Sequence, residues 1–174
     1  MFIVPGQLIS AVSFPGVIVH EIAHMLFLKL RGIRILDVCF FRFGNPAGYV
    51  VHEEIQRFDT SFLVSVGPFF VNSVLCILIC FPAFFPFKVF GVKDPLSYFL
   101  LWIGVSIGMH AFPSTQDAKN LLSHARRQVS SLSPLAIISF PLVFLIYLAN
   151  SLSFFWIDYL YGLAIGLGLP SLLF

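Results

Sequence analysis

Three stretches of this chain run without charge for the length of a membrane crossing. No Asp, Glu, Lys or Arg lies between Asp59 and Lys88, none lies between Arg127 and Asp158, and between Asp94 and Asp117 the sole ionisable side chain of that kind is His110. A helix needs about 20 apolar residues to cross hydrocarbon, so each gap holds one span. The opening segment through Leu30 and the closing one from Phe154 add two more. With 59% hydrophobic and 10% charged residues, and 22 Phe among 174, the apolar surface exceeds what a soluble core absorbs. The expected fold is therefore an all-α polytopic membrane protein with about five transmembrane helices, at 8–30, 61–83, 97–112, 133–151 and 154–174. Residues 1–174 read as a single membrane-embedded domain. Ser13, Pro15 and Gly16 offer an alternative start for the first helix, since Pro is favoured in a first turn. Residues 1–12 would then lie along the membrane or re-enter it. The opening has no basic n-region and no small-residue cleavage site, so the first apolar segment is expected to stay.

Alternating spans put the loops after the first and third on one face. Those loops carry Lys29, Arg31, Arg34, Arg42, Arg57, Lys119, Arg126 and Arg127, against Lys88 and Lys93 opposite. The basic face is cytoplasmic by the positive-inside rule, with the amino terminus outside. The net charge of +2 is a topology signal of this kind, and no nucleic-acid partner is expected.

The polar connections are short. "IRILDVCFFRF" and "GYVVHEEIQRF" are rich in β-branched and aromatic residues and flank the turn formers "GNPAG", which predicts a β-hairpin after the first helix. "STQDAKNLLSHARRQ" predicts a surface helix. Cys76 and Cys80 lie at helical spacing, Cys39 stands apart, and all three read as small apolar filler. Gly162 and Gly166 form a small-xxx-small packing pair, and Trp156, Tyr159 and Tyr161 suit an interfacial belt.

Inside the first span, His20, Glu21 and His24 form H-E-x-x-H. Residues four apart share a helix face, so both imidazoles can reach one metal ion, while Glu21 beside the first is placed to exchange a proton with an attacking water. Polar groups at membrane depth are costly and mark function; the bland reading is interhelical glue. A catalytic zinc needs a third protein ligand. The candidates are Cys39, His52, Glu53, Glu54, His110, Asp117, His124 and Asp158. His24 lies near the cytoplasmic end of its span, so the ligand should come from the inner half of the membrane, and Asp158 is expected on the opposite face. Asp117 just past the third span is the leading candidate, although Ser114 to Asp117 also fits a helix-capping box. His110 is the alternative third ligand or a partner of one; His52 and His124 read as surface residues. Five histidines are too few for a di-iron oxygenase site.

These residues resemble the site-2 protease family of intramembrane zinc metalloproteases. The motif on one span, an aspartate two spans later, "GPFFVN" between them and a strand-rich segment after the first helix carry the resemblance, over roughly 14–122. "FPGVIVHEIAH", "NPAGYVVHE" and "HAFPSTQDAKNL" look like a compact prokaryotic branch of membrane metalloprotease-like proteins. The resemblance implies a three-helix core at 14–122 with two additional helices at 133–174, and Zn²⁺ held by His20, His24 and Asp117. It further implies Glu21 as the catalytic base and Asn72 as a substrate-binding residue. The expected activity is hydrolysis of peptide bonds in or near transmembrane segments of membrane-protein or peptide substrates. The expected setting is the lipid bilayer of a prokaryotic cell membrane, with the active site towards the cytoplasm. The rival expectation is a catalytically inactive binding or chaperone module.

Overall fold

The computed structural model describes residues 6–91, 94–130, 140–141, 143–144, 147–148 and 156–173. These residues are mostly helical, with one two-stranded antiparallel sheet. Most of the segment expected as a fourth span, 133–151, lies outside them.

The opening segment is two helices, α1 (Gly6–Val12) and α2 (Phe14–Leu30). Pro15 has no N–H to donate, and the Ser13 hydroxyl and amide both bond back to the Ile9 carbonyl at 2.7 and 2.8 Å. The continuous helix expected from residue 8 is thus broken at Ser13, with Pro in the first turn of α2. At its other end α2 closes on Gly32 at φ +68°, where Gly32 N–H reaches Lys29 O and Ile33 N–H reaches Leu28 O. That pairing is a Schellman cap, and only glycine takes the left-handed position without strain.

Strands β1 (Ile35–Cys39) and β2 (Tyr49–His52) pair antiparallel, Cys39 opposite Tyr49 and Asp37 opposite Val51, with an irregularity between Ile35 and Asp37. The expected hairpin is present. Its loop is tied by Arg42, whose amide donates to Ala47 O at 2.7 Å and whose Nε donates to Pro46 O at 3.0 Å. The guanidinium lies 5.0 Å over the Tyr49 ring.

Helix α3 (Phe58–Phe90) is the described helix long and apolar enough to cross a membrane. At 1.5 Å per residue it extends about 50 Å, beyond the ~30 Å of hydrocarbon. Phe70, Val74 and Leu78, four apart, are exposed along it, while Ser61, Ser65 and Asn72 are buried. An apolar stripe outside and polar groups inside is the arrangement expected where the surrounding solvent is oily. Helix α4 (Pro95–Met109) is shorter and starts on an Asp94 cap that accepts from Ser97 N–H at 2.9 Å. Helix α5 (Thr115–Ser130) is the expected surface helix, and it buries Leu121, Leu122 and Ala125. The chain closes with α6 (Ile157–Leu163), a π-helical turn at Ala164–Gly168, and α7 (Leu169–Leu173).

Small side chains set the packing. Cys76 and Cys80 are fully buried, with Cys76 Sγ against Gly108 and Cys80 Sγ against Gly104. The filler reading of these two cysteines fits that placement. A Cβ on Gly162 would fall 2.9 Å from the Gly108 carbonyl carbon and 2.7 Å from Met109 Cγ, so α6 crosses the end of α4 backbone to backbone. Gly166 then meets Val105, and Leu167, Gly168 and Ser171 line one groove with Tyr98, Leu101 and Trp102. The closing helix therefore starts where α4 ends and runs back along it. Phe58 and Val66 of α3, Leu121, Leu122 and Ala125 of α5, and Val143 form one buried cluster; Leu28, Ile55 and Val64 form another beneath the sheet.

Candidate metal centre

His20 and His24 lie on one face of α2, buried, with ring centroids 4.7 Å apart. Asp117 is brought to them by the turn between α4 and α5. His20 Nε2 to His24 Nε2 is 3.1 Å, His24 Nε2 to Asp117 Oδ2 is 3.2 Å, and His20 Nε2 to Asp117 Oδ2 is 3.9 Å. The circumcentre of a triangle with those sides lies about 2.0 Å from each corner. Zinc keeps about 2.0–2.2 Å to imidazole nitrogen and carboxylate oxygen.

The outer edges of both rings explain which atoms face inward. His20 Nδ1–H donates to the His110 carbonyl at 2.7 Å. A carbonyl only accepts, so in the neutral ring Nε2 carries the lone pair. The other His24 edge meets the backbone carbonyl of Val64. That carbonyl is available because residue 68, four positions on, is Pro68, which has no N–H to donate to it. Two ring lone pairs and a carboxylate oxygen thus converge with no proton donor assigned between them. Such a donor set is complementary to a divalent cation, and the residues fit one.

Asp117 serves two purposes at once. Its Oδ2 accepts from Ser114 N–H at 3.0 Å and from Ser114 Oγ at 2.6 Å, while Asp117 N–H donates to Ser114 Oγ at 3.2 Å. The capping box and a place beside the two histidines coexist because the cap turns the carboxylate back over α2.

Glu21 is buried beside His20 at the edge of a cleft of about 580 Å³. The hairpin loop roofs it: a Cβ on Gly48 would stand 2.8 Å from Glu21 Cγ and 3.0 Å from Oε1. Any residue but glycine there would push the carboxylate aside.

Two expected residues act through α4. His110 bonds its ring Nδ1 to Ser106 O at 3.0 Å and supports His20 through its backbone carbonyl; its ring is outside the ligand triangle. Asn72, expected to touch substrate, is instead fully buried and does not border the cleft. Its amide donates to Ile107 O at 3.2 Å and His110 O at 2.9 Å, holding the end of α4. His52, Glu53, Glu54, Cys39 and His124 are not among the clustered ligands.

The expectation for Asp158 is corrected. It borders the same cleft as His20 and Glu21, together with Tyr159, because α6 begins at the end of α4. Gly162 and Gly166 carried that signal in the sequence as a packing pair, but not the direction of the helix they pack. Nothing local in the sequence marks Val64 and Pro68 as neighbours of His24.

Compared with known proteins, the chain matches no family model, no curated protein and no solved structure.

Proposed function

We propose that this chain is an intramembrane zinc metalloprotease resembling the site-2 protease family, hydrolysing peptide bonds in or near transmembrane segments. The observation that carries the reading is the converging triangle of His20 Nε2, His24 Nε2 and Asp117 Oδ2, beside a buried carboxylate in a cleft. His20, His24 and Asp117 would hold the Zn²⁺, whose Lewis acidity would polarise a carbonyl and acidify a water.

The protein's own groups do the rest. His110 and Val64 fix the two rings through their carbonyls. Glu21, adjacent to His20, takes a proton from the water and returns it to the leaving amine. Gly48 in the hairpin loop lies against the carboxylate and leaves it room beside the cleft. A substrate helix must unwind before its peptide bonds are accessible, and the outer edge of the two-stranded sheet offers an extended segment main-chain partners.

The membrane reading rests on the charge-free apolar helices and the exposed apolar stripe of α3. We take α2, α3, α4 and the closing helix as the crossings. Since α6 starts beside the end of α4, the closing helix runs back along α4 in the opposite direction. The basic residues around the hairpin and α5 keep their face cytoplasmic.

Purified in detergent, the protein should contain about one zinc per chain. Asp117→Ala should lose it, and His110→Ala should keep it because the supporting atom is backbone. Glu21→Gln should retain zinc and lose cleavage. A normally folded, metal-free preparation that cannot be loaded with zinc overturns the assignment. Unchanged cellular function in Glu21→Ala would favour the inactive binding module.

A further inference from the structure

We propose that the β-hairpin is itself sunk into the bilayer, lying along α2 with Phe41 and Phe43 at its tip against lipid acyl chains. The inference rests on the membrane reading of α2 and α3 and is independent of the peptidase reading. Three contacts set how the hairpin lies. At its base, Ile35 and Val50 pack against the buried cluster that contains Leu28, in the last turn of α2. Midway, Gly48 stands against Glu21. At the tip, the Phe41 ring is 5.8 Å from that of Phe14, the first residue of α2. The two paths agree in length: the helix from Leu28 back to Phe14 covers about 21 Å, and the near-extended chain from Ile35 to Phe41 covers about 20 Å. The hairpin thus returns along almost the whole of α2. A helix that crosses the hydrocarbon carries it along, so the tip lies at membrane depth, away from the aqueous face on which the base stands.

The side chains of the tip suit that depth. Phe43 is 88% exposed, and its ring lies 5.3 Å from that of Phe41. From Phe41 the ring contacts continue through Phe14 to Trp102 at 5.7 Å, and on to the exposed Phe99 at 5.7 Å. The tip and the outer surface of α4 therefore form one apolar surface, which is costly in water and at home among acyl chains. Phe41 and Phe43 are two apart and share a side, which turns Arg42 between them to the other. There Arg42 Nε donates to the Pro46 carbonyl at 3.0 Å, and its guanidinium lies over the Tyr49 ring. Pro46 borders the cleft, so the one charge of the tip is held within the loop on the side of the cleft, as its depth demands. Arg42 is thereby set apart from Lys29, Arg31, Arg34 and Arg57 around the base. Because Gly48 belongs to the same loop, the bilayer that holds the tip also holds Gly48 against Glu21.

The test uses the full chain carrying Cys39→Ser in phosphatidylcholine vesicles, with an NBD fluorophore attached through Phe43→Cys; Cys76 and Cys80 are fully buried and stay in place. Labels at Val74→Cys, on the exposed stripe of α3, and at Arg34→Cys, at the base of the hairpin, are the references. Nitroxides on the acyl chains read contact with lipid, and dithionite on both sides of the membrane reads contact with water. All three positions are exposed, and size-exclusion profiles matching the parent show that each labelled protein is folded. The Phe43 label should lose emission to the acyl-chain nitroxides as the Val74 label does and resist dithionite, while the Arg34 label shows the reverse. A Phe43 label that follows Arg34 while Val74 reports lipid overturns the insertion and leaves the membrane reading standing. A Phe43 label hidden from both quenchers is covered by protein and overturns lipid as the partner. A Val74 label that reports water removes the membrane reading and the insertion with it.

Discussion

Gly16→Ala is a one-carbon perturbation whose effect on the metal centre can be worked from geometry. A Cβ at residue 16 would fall 2.6 Å from both the Ser106 carbonyl carbon and His110 Nδ1, and closer still to the Ser106 oxygen. Ordinary carbon contacts lie at about 3.5–4.0 Å, so α2 and α4 must separate there by about 1 Å. His20 is one turn along the same face. Its 2.7 Å bond to the His110 carbonyl would stretch to about 3.5 Å or more, where a hydrogen bond no longer holds. Losing an outer support of a metal-binding histidine costs about 10–100-fold in metal affinity. Overpacking adds about 1–3 kcal/mol of destabilisation. The assay is zinc competition against a chromogenic chelator, alongside thermal unfolding of the same preparation. Gly44→Ala is the control, since a Cβ there meets nothing nearer than Arg42 Nε at 3.8 Å. Wild-type zinc affinity in a folded Gly16→Ala protein would refute the claim that the approach of α4 orients His20.

Pro68→Ala should restore an N–H that competes with His24 for the Val64 carbonyl, weakening zinc binding about tenfold while the helix itself gains a bond. Chelator titration checks this, and unchanged affinity would sever Pro68 from the site. Asn72→Leu should lower thermal stability by roughly 1–3 kcal/mol, because two carbonyls at the end of α4 each lose one of their two donors. It should also weaken zinc binding. A loss of peptide affinity with both of those intact would return Asn72 to the substrate.

What the sequence discloses follows the reach of its periodicities. His20 and His24 are four apart on a helix, and that spacing alone brings them to one face; the hairpin is announced by turn formers between two β-rich runs. Asp117 is legible as a residue of two possible uses, and only the three-dimensional turn at Ser114 makes both hold together. The alternation of apolar spans does not encode the direction of the last helix. Hydropathy sees that 154–174 is oily, while its orientation depends on Gly108 meeting Gly162 across 54 positions of sequence. For that reason Asp158, expected on the opposite face, borders the same cleft as His20 and Glu21.

The supports of the two histidines have a common origin in interrupted helices. Helix α4 ends at Met109 between buried Gly108 and Ala111, and the last carbonyls of any helix lack internal partners. Where water is scarce those groups must be satisfied from within the protein. Asn72 serves Ile107 and His110, and His20 serves His110 as well. In α3 the gap is made by Pro68 and is met by His24. The same hydrogen bonds therefore satisfy the backbone of α3 and α4 and aim the rings inward. A proline inside one apolar helix and an early stop in the next, each unfavourable alone, become a reason for two imidazoles to face one another across the position a cation would take.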